Sequence, residues 1–251
     1  MDHPNTETER AWNEAASQNY IDNGRYFIPD RDVQNEALCA LVPALEEPFE
    51  VLELGCGEGR LAEVLLERYP QCRLLGLDGS SLMLEHATKR LERFGERFHA
   101  GLFRLEESGW RTGIPRYRAV LASLLIHHLD GDGKAVLYRD LFGMLKPGGT
   151  LLIADIIQPA GESGRLYAAE AWNEVVRQQA LEIDGDMRGF RLFEDSKWNT
   201  FLYPDPMDRP SGLFEQLQWL SAAGFEGVDV YWMKAGFAIF GGTRPSATAS
   251  T

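Results

Sequence analysis

Three glycines at alternate positions follow an acid in Glu53-Leu54-Gly55-Cys56-Gly57-Glu58-Gly59. Glycine has no Cβ, so such a turn bends sharply and lets a ligand lie against bare backbone. A dinucleotide fingerprint needs glycine at position 60, where this chain has Arg60. A Walker phosphate loop needs Gly-Lys-Ser/Thr at the start of the next helix, and the sequence has none there. Glu53 would repel a pyrophosphate; it suits a ligand with a cationic end. Asp78 closes the next apolar run, where an acid can accept hydrogen bonds from ribose hydroxyls. The residues together ask for a nucleoside with a cationic tail and no phosphates.

Such residues must be held at one edge of a scaffold, and the apolar pattern supplies it. The runs 49–54, 72–78, 97–103, 117–123 and 150–157 read as strands, the third of them weaker. Between them lie helical patterns: Leu61, Val64, Leu65 and Tyr69 on one face, then Leu84, Ala87, Leu91 and Phe94 behind a capping Ser80, then Leu137, Leu141, Met144 and Leu145. "KPGG" (146–149) breaks the last of these. Strands that are apolar throughout, alternating with helices, predict a doubly wound α/β fold with a mostly parallel sheet. Residues 228–242 read as two strands joined at Ala235-Gly236, so at least one strand is antiparallel. A helix over 212–223 precedes them and ends at Gly224.

S-adenosylmethionine is a cationic nucleoside of the required kind. The stretches "VLELGCGEG", "LLGLDGS", "SLLIHHL", "LKPGGTLLIAD" and the closing hairpin occur in order between Val51 and Gly242. In these the chain resembles the class I S-adenosylmethionine-dependent methyltransferases. The resemblance implies a seven-stranded Rossmann-like sheet whose last strand lies antiparallel between its neighbours. It implies Glu53, Gly55, Cys56, Gly57 and Gly59 around the methionine end of the cofactor, Asp78 on the ribose, and Gly79 and Met83 flanking the adenosine. Leu102 and Phe103 lie near the adenine, and Ser123 borders the cofactor. S-adenosylhomocysteine is then the product. Leu102 departs from the acid that many relatives carry there, leaving stacking and backbone amides to hold the adenine. Arg118 departs from the aspartate at the start of the fourth strand. Those departures keep alternatives open: carboxyl transfer onto the cofactor, a cyclase, or a non-catalytic binding module.

Methyl transfer is an in-line displacement that alignment alone accelerates, and a base is needed only where the nucleophile must lose a proton. His127 and His128 follow the fourth strand. His127 is the expected catalytic residue and faces the acceptor, or else the two form a satisfied strand-end pair. Asp155 ends the fifth strand and either contacts an acceptor amine or hydroxyl or caps the following loop. Tyr20, Tyr26 and Trp198 are the aromatic candidates for the acceptor pocket. Trp12, Phe27, Trp172, Phe193 and Tyr203 are further aromatics of the same two segments, and Arg188 and Arg191 are candidates for an acceptor carboxylate. The expected organisation is a single domain over 1–243. A helical cap (1–45) and an insert (158–212) form its lid, and residues 244–251 form a disordered tail.

Acids outnumber bases 38 to 25 among 251 residues, for a formal charge of −13. That disfavours a nucleic acid acceptor or an anionic membrane surface, since both need dense Lys/Arg. No apolar run approaches bilayer length, and "MDHPNTETER" lacks the form of a signal peptide. Cys39, Cys56 and Cys72 are scattered, without C-x-x-C or zinc spacing. The expectation is a reduced, cytoplasmic enzyme without a bound metal that acts on a small molecule.

Overall fold

The computed structural model describes residues 14–111 and 116–246. Residues 1–13 of the expected cap, Trp12 among them, and residues 247–251 of the expected tail lie outside the described residues. The strands are β1 (Phe49–Leu54), β2 (Cys72–Asp78), β3 (Phe98–Leu102), β4 (Tyr117–Ser123), β5 (Leu145–Ile156), β6 (Glu226–Lys234) and β7 (Phe237–Thr243). They form one sheet in the order β3-β2-β1-β4-β5-β7-β6. The first five are parallel. β7 lies between β5 and β6 and is antiparallel to both. At the hairpin, Ala235 (φ 51°) and Gly236 (φ 81°) are both left-handed, which matches the turn's twist to that of its strands.

Both faces of the sheet are covered, as strands apolar throughout require. On one face α2 (Arg31–Ala40), α3 (Arg60–Arg68) and α4 (Ser81–Leu91) bring Leu38, Leu61, Leu65 and Leu91 onto Val51, Leu74, Ala119 and Leu121. On the other, α5 (Gly131–Met144) and α8 (Leu213–Ala222) bring Leu137, Tyr138, Leu141 and Leu220 onto Leu52, Val120, Ile153 and Phe240. The alternation Ala119, Val120, Leu121, Ala122 along β4 serves the two layers in turn. Each fully buried Leu or Phe here contributes about 1.5–3 kcal/mol relative to exposure.

The third layer stands at the carboxyl end of β5. Here α1 (Glu14–Phe27), α6 (Glu162–Asp184) and α7 (Arg188–Asp195) bury Phe27, Trp172, Phe193 and Phe201 against Ile156 and Phe237. The Trp172 indole N–H donates to the Phe27 carbonyl at 2.7 Å, so α6 holds the end of α1. The N-terminal helices thus divide: α1 belongs to this layer and α2 to the sheet.

Two boundaries differ from the sequence reading. The apolar stripe includes Leu145, but α5 stops at Met144 and β5 starts at Leu145, opposite Tyr117. The next pair is Ala119 with Thr150, so "KPGG" is an irregular step within the strand, with Gly148 left-handed (φ 74°). Arg118, at this edge, donates to the Pro43 carbonyl at 2.7 Å and to that of Pro147 at 3.4 Å, a structural role. Phe94 falls in a 3-10 segment (Glu92–Arg97) beyond α4. The start of the expected tail is anchored, because the Arg244 guanidinium donates to the carbonyls of Phe142, Gly143 and Leu145.

Gly76 couples the sheet to the glycine turn. It pairs with Glu53 on β1 and Ala100 on β3. A Cβ added there would meet Cys56 Sγ at 2.9 Å and the Phe98 ring at 3.0 Å. Gly76→Ala is therefore expected to cost about 1–3 kcal/mol of stability by overpacking the seat of Cys56; denaturant unfolding of the variant measures it.

Candidate functional site

Three glycines take left-handed conformations between β1 and α3: Gly55 (φ 67°), Gly57 (φ 53°) and Gly59 (φ 83°). A side chain at any of them would be strained, which explains their alternation in sequence. The amides of Gly55 and Cys56 both donate to the Leu77 carbonyl, at 2.7 and 3.0 Å, tying the turn to β2. Asp78, the last residue of β2, completes the tie. Its carboxylate accepts from the Gly57 amide at 2.8 Å and the Ser80 amide at 2.9 Å. Ser80 in turn caps α4 by accepting from the Met83 amide at 3.1 Å. Burial raises the Asp78 pKa, against the pull of these backbone N–H groups.

An open cleft of about 1140 Å³ runs along this edge. Of the residues expected at a cofactor, Gly55, Cys56, Gly57, Asp78, Gly79, Met83, Leu102, Phe103 and Ser123 line it, as does Tyr20. Leu102 is 65% exposed, whereas Phe103 is buried and packs edge-on against Trp110, with ring centroids 5.2 Å apart. Gly59 caps α3 instead, and a Cβ there would meet Leu91 at 3.0 Å and Ala87 at 3.3 Å.

Glu53 does not line the cleft. It is 1% exposed, and its Oε2 has no hydrogen-bond partner. Removal from water pushes its pKa up to about 8, against the pull of the Arg31 guanidinium and with a further push from Asp78. Arg31 and Asp78 both line the cleft. A buried carboxyl with one oxygen free of any hydrogen bond, beside a turn of bare backbone, fits a ligand with a cationic end. Arg31, which the sequence reading passed over, donates to Ser123 Oγ at 2.5 Å and so bridges α2 to the end of β4.

The second half of the site differs from expectation. His127 does not line the cleft, whereas His128 does. The His127 ring is buried, with Nδ1 2.5 Å from Asp155 Oδ1. Asp155 is fully buried as well, and accepts from the backbone amides of His127 (2.9 Å) and Ile156 (2.8 Å). Burial alone would raise the Asp155 pKa, but His127 and these donors hold it below the usual carboxylate value. An ionised carboxylate only accepts, so His127 Nδ1 carries the proton and Nε2 points elsewhere. Burial would lower the His127 pKa, but the Asp155 charge and hydrogen bond raise it overall. Nε2 lies 3.5 Å from Asp208 Oδ1, and His128 Nδ1 lies 3.4 Å from the same oxygen.

Tyr26 and Trp198 are not on the cleft. Tyr26 is buried and donates its hydroxyl to Asp184 at 2.6 Å. Trp198 packs against Phe27 at 5.1 Å. Arg188 pairs with Asp186 at 2.8 Å, also off the cleft. The 158–212 segment reaches the cleft through Asp205, Pro206, Met207 and Arg209 rather than through its aromatics. The signal for this was the charged, proline-bounded "PDPMDRP" itself (204–210).

A family model described as a methyltransferase domain matches residues 51–149, from β1 into β5. A trans-aconitate 2-methyltransferase of Variovorax paradoxus is 29% identical over 86% of this chain and 80% of its own length. That of Paracidovorax citrulli is 27% identical over 80% and 78%. Among solved structures, an O-methyltransferase family protein from Burkholderia thailandensis superposes with a TM-score of 0.65 at 16% identity, over 96% of this chain and 63% of its own. The structure of PigF with SAH gives 0.60 at 14% identity, over 91% and 58%. The chain spans less than two thirds of the length of these two solved chains.

The raised pKa of Glu53 sets a sign for stability. Between the unfolded carboxyl pKa and the folded value of about 8, the folded ligand-free protein holds a proton that the unfolded chain has lost. Stability from this group therefore falls as pH rises, by about 1.4 kcal/mol per pH unit. Glu53→Gln is expected to gain on the wild type progressively from roughly pH 5 to pH 8, which urea unfolding at a series of pH values measures.

Proposed function

We propose that the chain is a class I S-adenosylmethionine-dependent methyltransferase and that it methylates a small, oxygen-bearing acceptor held beside His128 in the cleft. The observation that carries the cofactor half is the turn of three left-handed glycines, tied to Asp78 beside an unpartnered Glu53. In this reading Glu53 balances the amino-acid end of the cofactor, and Arg31 meets its carboxylate. Asp78 accepts from the ribose hydroxyls in place of part of its present backbone bonding. Leu102 and Phe103 flank the adenine. S-adenosylmethionine, when bound, supplies a methyl group already activated by its sulfonium.

What remains for the protein is alignment, exclusion of water and management of a proton. The buried Asp155–His127 pair fixes one imidazole with Nε2 toward Asp208, and His128 presents the second to the cleft. Of these groups His128 alone lines the cleft, so an acceptor meets His128, with Asp208 and His127 behind it. Arg209 and Arg111 lie on the lining, beside Asp130 and Asp140, and an anionic acceptor would exchange with those carboxylates. The relatives' trans-aconitate, a small carboxylate, is an acceptor of that kind. A single domain over 1–243, lidded by α1 and the 158–212 segment, and a cytoplasmic setting complete the reading. Among the described residues no helix is long and apolar enough to cross a membrane.

The test is transfer of labelled methyl from S-adenosylmethionine to a panel of small carboxylates and hydroxy acids, with calorimetry of cofactor binding. Turnover with a panel member is expected; binding without turnover on any would favour the non-catalytic module. Asp78→Ala should weaken cofactor binding about 10–100-fold, the loss of hydrogen bonds to a charged group.

A further inference from the structure

His127, His128 and Asp208 each offer one ligand atom, and these atoms lie within 4.8 Å of one another. The 3-10 turn Ile126–His128 sets the two rings 4.2 Å apart. The loop bearing Asp208 is locked to that turn, because the Arg209 amide donates to the His127 carbonyl at 2.6 Å. Asp208 Oδ1 stands 3.5 Å from His127 Nε2 and 3.4 Å from His128 Nδ1. Both separations exceed the usual 2.7–3.2 Å of a hydrogen bond. They match the spacing of about 3.4 Å between two ligand atoms that share a tetrahedral cation at about 2.0–2.1 Å.

A second feature points the same way. Asp155 holds His127 Nδ1 at 2.5 Å, which turns the Nε2 lone pair toward Asp208. A carboxylate behind a histidine, fixing its tautomer and raising its basicity, is the outer shell that metal-ligating imidazoles have. The cations nearby are engaged. Lys134 Nζ donates to the Arg209 carbonyl and to Ser211 Oγ (2.8 Å), and burial lowers its pKa to about 8. The Arg209 guanidinium lies 3.6 Å from the Asp130 carboxylate.

We propose that His127 Nε2, His128 Nδ1 and Asp208 Oδ1 bind a divalent first-row transition cation with zinc-like preferences, leaving an open coordination position beside His128, the ligand that lines the cleft. Two imidazoles and one carboxylate are a ligand set that suits Zn²⁺ and its neighbours rather than Mg²⁺ or Ca²⁺. Three protein ligands leave a position for an exogenous oxygen, as in catalytic rather than structural sites. Cysteine spacing gave no hint of this site because no thiolate takes part. The cation would hold an acceptor carboxylate or hydroxyl oxygen at the rim, the proton of a hydroxyl passing to solvent. That last role rests on the methyltransferase reading; the cation site does not.

The full-length protein is titrated with Co²⁺ alone at pH 8, followed by visible absorption, and then with Zn²⁺ in competition. One Co²⁺ per chain, with the intense d–d bands of a four- or five-coordinate site that Zn²⁺ abolishes, is expected. His128→Gln and Asp208→Asn should each weaken binding at least about tenfold, and Asp155→Asn by about 10–100-fold. Absence of the bands, or binding unchanged in both His128→Gln and Asp208→Asn, overturns the site. Calorimetry of S-adenosylmethionine on the same samples keeps the two readings apart. Intact cofactor binding without a cobalt site removes the cation alone. Lost cofactor binding with the cobalt site present removes the cofactor reading and leaves the cation.

Discussion

The site is organised around a carboxyl group that the fold has buried with one oxygen lacking a hydrogen bond. Glu53 is the penultimate residue of β1, inside the sheet, where water cannot reach it and Oε2 meets no donor. Such burial is costly, and a protein reduces the cost by keeping the group neutral or by bringing a cation to it. Its pKa of about 8 is the first response; the proposed cationic ligand would be the second. The surrounding backbone is shaped for the second. The turn that follows is stripped of side chains at each left-handed residue and pinned to β2 through Leu77 and Asp78. Gly76 leaves the space into which Cys56 packs.

From there the rest of the architecture follows in layers. Parallel strands aim their carboxyl ends at one edge, so Asp78, Ser123 and Asp155 arrive together from β2, β4 and β5. Helix α2 packs on the sheet and delivers Arg31 to Ser123. The 158–212 segment anchors itself through Trp172, Phe193 and Phe201, which frees its loop at 205–209 to meet the histidine turn. Its aromatics hold the layer together, while its short charged loop touches the cleft. Rigid packing and chemical contact are thus carried by different residues of one segment.

Much of this was legible in the sequence. The alternation of apolar runs and amphipathic helices foretold the doubly wound sheet, and Ala235-Gly236 foretold the antiparallel hairpin. The one-residue offset of Gly59 from a dinucleotide fingerprint, with Glu53 before it and Asp78 after, indicated a cationic nucleoside. The acceptor side was harder. Periodicity reports which residues are buried, not which long-range pairs form, so Asp155 with His127 across 28 residues left no local mark. Aromatics drew attention to Tyr26 and Trp198, but a large ring is worth most in a core, and both went there. Arg31 lay in a cap read only as helical, and Asp208 lay in a loop with no periodicity at all.

The central claim is that Glu53 waits, neutral, for the cation of the cofactor. Isotope-edited infrared spectroscopy of the Glu53 carboxyl at pH 7, with Glu53→Gln as the blank, tests it directly. The account predicts a protonated carboxyl in the free protein that ionises on binding S-adenosylmethionine and stays protonated with 5′-methylthioadenosine, which lacks the amino-acid tail. A Glu53 already ionised in the free protein, or one still protonated with S-adenosylmethionine bound, would contradict it.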